Sequence, residues 1–87
     1  MKELIIKNYI DKLTIQDIEK FATNNNLMLS NQEYEYLYKV IKDKWYQLIF
    51  GNPKPVFNDL EKHLSQDAYK QVLVLYQIYK DKYSHYL

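Results

Sequence analysis

The sequence predicts an all-α fold, a compact bundle of four to five helices with a central helical hairpin. Three observations carry this reading. Apolar residues recur at spacings of three and four in several separate runs. Ser, Thr or Asn stands before most of those runs, with an acidic residue three places on. No alternating apolar–polar stretch of useful length appears, so nothing reads as a strand. The chain has 87 residues, the size of one domain spanning 1–87. A domain this small buries about 60–65% of its unfolded surface, so its stability is modest.

Residues 2–12 read as the first helix. Leu4, Ile5, Ile6, Tyr9, Ile10 and Leu13 make a wide apolar stripe that calls for packing against at least one other helix. Thr14 caps a second helix, with Asp17 completing a capping box and Leu13 and Ile18 placed for a hydrophobic staple. Ile15, Ile18, Phe21 and Ala22 form its inward face. Asn24, Asn25 and Asn26 end it, because asparagine tolerates the left-handed conformation and competes for backbone hydrogen bonds. Leu27 and Leu29 pin the connection that makes helices two and three an αα-hairpin.

The third helix, Ser30 to Phe50, is the element around which the others are arranged. Ser30 and Glu33 form a capping box. Tyr34, Leu37, Tyr38, Ile41, Trp45 and Leu48 fall on one broad face, and Gly51 is placed as a C′ glycine. The only tryptophan, Trp45, is expected near the centre of the core. Asn52-Pro53-Lys54-Pro55 reads as a loop, with Asn52 and Lys54 pushed towards extended geometry by the prolines that follow them. Val56 and Phe57 are expected to dock that loop. Asn58 with Glu61 then suggests a short helix over 59–64. Ser65 caps the last helix, on which Ala68, Tyr69, Val72, Leu75, Tyr76, Tyr79 and Tyr83 share a face. Leu73, Val74 and Ile78 widen its apolar girth well beyond one stripe. Residues 84–87 are expected to fray.

Composition narrows function. There is no cysteine, which removes disulfides and thiolate chemistry and fits a reducing, cytoplasmic setting. No secretory leader or membrane span is evident. Net charge is +1 and every basic residue is lysine. Without arginine the chain lacks the bidentate fork for phosphate and guanine, which weighs against specific nucleic-acid recognition. A helix-turn-helix reading of Ala22 and Asn26-Leu27 would need apolar residues at Gln32 and Glu35, and both are polar. Lys39, Lys42, Lys80 and Lys82, close to tyrosines, leave weak single-strand binding as the alternative.

No residue set announces catalysis. Asp59, Glu61 and His63 are too few for a closed metal site and read as a capped helical turn, and His85 stands apart. Glu33, Glu35 and Asp43 read as face residues, Ser30 and Ser65 as caps, and one glycine cannot build a phosphate cradle. The sequence therefore points to a non-enzymatic protein with no cofactor and no evident small-molecule substrate. The ten tyrosines are the main functional signal, since tyrosine packs its ring while its hydroxyl stays wet. They point to a protein-interaction module, a homodimer or a binder of another protein, with Tyr69, Tyr76, Tyr79 and Tyr83 as the candidate surface. Core filling with compositional bias is the competing account of the same residues.

The ordered pattern Leu13-Thr14, Ala22, Asn26-Leu27, Leu29-Ser30, Gln32, Ile41 and Phe57-Asn58 resembles the YqfT-like proteins of bacilli and their relatives, a domain-of-unknown-function family. The likeness spans roughly residues 5–64 and rests on caps and core spacing. The tyrosine-rich last helix and the Asn52–Pro55 loop are peculiar to this sequence. The resemblance implies a bacterial, cytoplasmic, helical protein and brings no catalytic residue or ligand with it.

Overall fold

A computed structural model describes residues 2–83, with side chains through Asp81. The expectations for Ser84 to Leu87, including His85, and for the side chains of Lys82 and Tyr83 lie outside the described residues. Five helices follow in order: α1 (Lys2–Lys12), α2 (Ile15–Asn24), α3 (Asn31–Ile49), α4 (Lys54–His63) and α5 (Gln66–Tyr83). The radius of gyration is 12.5 Å, close to the roughly 12 Å of a compact chain of this length. Helix α3 packs against α1, α2 and α4, whereas α5 approaches closely only α4.

The two capping boxes form as the sequence requires. The Thr14 hydroxyl accepts from the Asp17 amide, and the Asp17 carboxylate accepts from the Thr14 amide. Ser30 and Glu33 repeat the exchange at α3. Asn26 adopts φ of 57°, and the Leu27 amide reaches back 2.8 Å to the Ala22 carbonyl while Asn26 donates to Thr23. That is a Schellman ending with asparagine in the left-handed position. It turns the chain so that Leu27 is buried and the adjacent Met28 points to solvent.

The segment after α3 departs from expectation. Gly51 is not left-handed. Its lack of a side chain serves a close approach instead, because a Cβ there would sit 3.2 Å from the Gln47 Cα. Helix α4 begins at Lys54, so Lys54 is helical, and Val56 and Phe57 lie within the helix, both buried. Pro55 in the first turn has no amide that needs an intrahelical partner, and its fixed φ suits a helix start. The bias against helix before proline is outweighed here by burial of the two apolar residues that follow. Asn52 accepts the Lys54 amide at 3.2 Å, and Asn58 is an exposed mid-helix residue rather than a cap.

Core packing centres on α4. Leu37, Val56, Phe57, Leu60, Leu64 and Ala68 form the buried cluster, with Leu60 only 2% exposed. Trp45 is half-buried and packs edge-on with Tyr46 and Phe50 at the end of α3, outside that cluster. An indole at that helix end meets its own neighbours before it can reach α4. Tyr36 packs against α4: its ring stacks on His63 at 4.2 Å.

One carboxylate ties the bundle end together. Glu33 accepts from the Ser30 amide through Oε1 and from the Ser65 amide through Oε2, at 2.9 and 2.7 Å. It thereby caps α3 and also the start of α5. Partial desolvation pushes its pKa up, but hydrogen bonds from the amides and hydroxyls of Ser30 and Ser65 outweigh this and hold it below the ordinary glutamate value.

Candidate functional site: an apolar cleft and an uncovered helix face

Between α2 and α5 the bundle does not close. Helix α5 rests on α4, and no close backbone approach joins it to α1 or α2. The space left is a cleft of about 430 Å³. Its walls include Ile18 and Phe21 from α2, Ile41 from α3, and Val72, Leu75 and Tyr79 from α5. At about 24 cal/mol per Å³, a sealed void of that size would cost on the order of 10 kcal/mol. That equals the whole stability of a typical small domain. The cleft escapes this cost by opening to solvent, which leaves its apolar walls as surface an occupant would cover. No signal in the sequence located it, because its apolar lining residues also fit ordinary core positions of the helices and their connections.

Tyr69, Tyr76 and Tyr79 of the last helix face the core or this cleft. Tyr76 packs on Phe57 with ring centroids 4.8 Å apart, and its hydroxyl donates to the Leu48 carbonyl at 2.6 Å. That hydrogen bond meets an α3 carbonyl left unpaired near the helix end. Tyr79 lies against Phe21 of α2, with centroids 5.3 Å apart. Tyr69 is half-buried against the core cluster. The outward apolar residues of α5 are Val74 and Ile78, 57% and 53% exposed.

Helix α1 carries the most uncovered apolar surface. It packs on α3 through one side, with Ile10 buried and Ile6 half-buried. Leu4, Ile5 and Tyr9 are left 60%, 71% and 73% exposed. Ile5 and Tyr9 lie one turn apart on the same face, and Tyr9 reaches the rim of the cleft. The sequence pattern showed the stripe. It did not show that α1 would meet only one neighbour and leave half of the stripe bare.

Several charged candidates have structural partners. Lys42 donates to the carbonyls of Ile10 and Asp11 at 2.7 and 3.0 Å, closing the C-terminal end of α1, and sits 5.5 Å over the Tyr38 ring. Lys80 sits 5.7 Å over Tyr76. His63 Nδ1 is 2.8 Å from the Asp59 carbonyl oxygen, so the ring contacts its own helix backbone rather than the Asp59 carboxylate. Among the described residues no three His, Cys, Asp or Glu side chains group as metal ligands. No helix among them is long and apolar enough to cross a membrane.

No family model, curated protein or solved structure matches this chain.

Proposed function

We propose that this protein is a non-enzymatic protein-interaction module that pairs with a second copy of itself through the uncovered face of α1. The observation that carries this reading is the joint exposure of Leu4, Ile5 and Tyr9 on one helix that packs on its other side. Contiguous apolar surface of this kind marks association sites more often than isolated exposed residues do. The net charge of +1 offers little repulsion between copies. Of the tyrosines named from the sequence, Tyr69, Tyr76 and Tyr79 support the reading indirectly, by holding α5 on the bundle.

The partner is tested by light scattering on the peak eluting from a size-exclusion column, over a tenfold concentration range. The reading expects a mass above 10.7 kDa for the wild type and the monomer mass for Ile5→Asp. A wild type that stays monomeric throughout would remove self-association and leave α1 to a different protein. Nucleic-acid binding is the weaker reading. Lys42 and Lys80 are already placed on carbonyls and rings of the same chain, which leaves fewer cations for phosphate. That reading expects affinity that falls steeply with salt.

A further inference from the structure

We infer that the cleft between α2 and α5 binds a small amphiphile with a hydrocarbon body and a neutral or singly positive head. This goes beyond self-association through α1, with which it has only Tyr9 in common. Three features of the cleft select that class. The first is size: about 430 Å³ falls within the roughly 300–1,000 Å³ of small-molecule sites. The second is shape. The rings of Phe21 and Tyr79 meet across the cleft from α2 and α5, 5.3 Å apart. A partner helix, about 10 Å across, finds no uninterrupted bed there, whereas a single alkyl chain or a flat ring fits beside the bridge.

The third is charge. Asp17 is the only ionised side chain on the lining among the described residues, and no lysine reaches it. Hydrogen bonds from the Thr14 amide and hydroxyl hold the Asp17 carboxyl below its ordinary range, so it is ionised at neutral pH. Lys42, the α3 lysine near α1, is committed to the carbonyls of Ile10 and Asp11. Lys20 lies on α2 one turn beyond Asp17, exposed and outside the lining. An anionic head at the Asp17 end would therefore meet a carboxylate and no cation on the lining, with Lys80 held over the Tyr76 ring on α5. An ammonium head would meet that carboxylate and the ring of Tyr9. A hydroxyl head would donate to the same carboxylate.

The test titrates full-length protein with dodecylamine, dodecanol and laurate, each below its micelle concentration, by displacement of a fluorescent neutral hydrophobe and by calorimetry. The expected result is saturable binding of one molecule per chain. The amine and the alcohol should bind about threefold more tightly than laurate, the scale of one charge contact at an exposed carboxylate. Asp17→Asn should bring the amine down to the alcohol while leaving the alcohol unchanged. Leu75→Trp, which fills the cleft, should weaken all three at least about tenfold. Val72→Phe serves the same purpose if Leu75→Trp loses its helicity by circular dichroism. Laurate binding as tightly as the amine would overturn the inference. So would binding without saturation, or affinity unaffected by either filling substitution. A cationic amphipathic peptide that binds the cleft where dodecylamine does not would also overturn it, in favour of a protein ligand.

Discussion

The two sides of α3 are built differently. On one side α4 supplies Val56, Phe57 and Leu60 within ten residues, and Leu64 and Ala68 complete a buried cluster against Leu37, of which Leu37, Phe57 and Leu60 also reach the cleft wall. On the other side α2 and α5 stand apart over an apolar cleft, and α1 buries Ile10 alone. Both sides are made from the same kinds of residue, so hydrophobicity does not distinguish them. The difference is connection. The joint between α3 and α4 is tight at Gly51 and Pro53, and Glu33 fastens the start of α5 to the start of α3. Between α5 and α2 the described contact is that of two rings, Phe21 and Tyr79. Firmness in this bundle comes from short joints and shared caps, and binding surface comes from where those run out.

The largest expected effect compares truncations on the two sides. Leu64→Ala should cost about 3 kcal/mol, because Leu64 is buried off the cleft wall and its site cannot collapse around the lost atoms. Leu75→Ala, on the cleft wall and outside the packing on the buried cluster, should cost less, about 1–2 kcal/mol, since part of its side chain faces the open cleft. Urea denaturation of both variants reads the difference. Equal losses would mean that the cleft wall is as tightly packed as the α4 cluster, and the comparison would fail.

Enlargement should show the opposite asymmetry. Val56→Leu overfills the buried cluster and should destabilise by about 1–3 kcal/mol. Val72→Leu has space to grow into and should leave the urea midpoint unchanged or raise it.

The shared cap gives a smaller effect with a pH signature. Glu33→Ala should cost about 1–2 kcal/mol at neutral pH through loss of caps on α3 and α5. The Glu33 pKa is lowered in the folded chain. Its stabilisation is therefore complete above the unfolded value of about 4.3 and is lost as pH falls through the lower folded value. The gap between wild type and variant should narrow across that acidic window. An unchanged gap well below it would assign the loss to packing rather than to the ionised cap.

Much of the fold was legible because its signals are local. Thr14 with Asp17, Ser30 with Glu33, and the Asn24–Asn26 run each act within a few residues of themselves, and all appear where the sequence placed them. The start of α4 was misread because Pro55 was taken as a breaker when it occupies a first-turn position where proline fits. Trp45 was misplaced because size was taken for centrality, and the end of α3 lies beyond the α4 cluster. The cleft was not legible at all. Whether Ile18 and Val72 meet or stand apart depends on the separation of two helices distant in sequence, and no spacing within either helix encodes it. The reach of Lys42 to α1 and of Ser65 to Glu33 was hidden for the same reason.

The smallest expected effect on stability belongs to α1. Ile5→Asp should change the unfolding free energy by no more than about 0.5 kcal/mol, since Ile5 is largely exposed. Its consequence should appear in association instead. The most direct measurement is a dilution series of amide spectra by nuclear magnetic resonance over a tenfold concentration range. If copies pair through α1, the concentration-dependent shifts concentrate on α1, around Leu4, Ile5 and Tyr9, while the amides of α4 stay still. Shifts centred on α4, or spectra that do not change on dilution, would contradict pairing through α1.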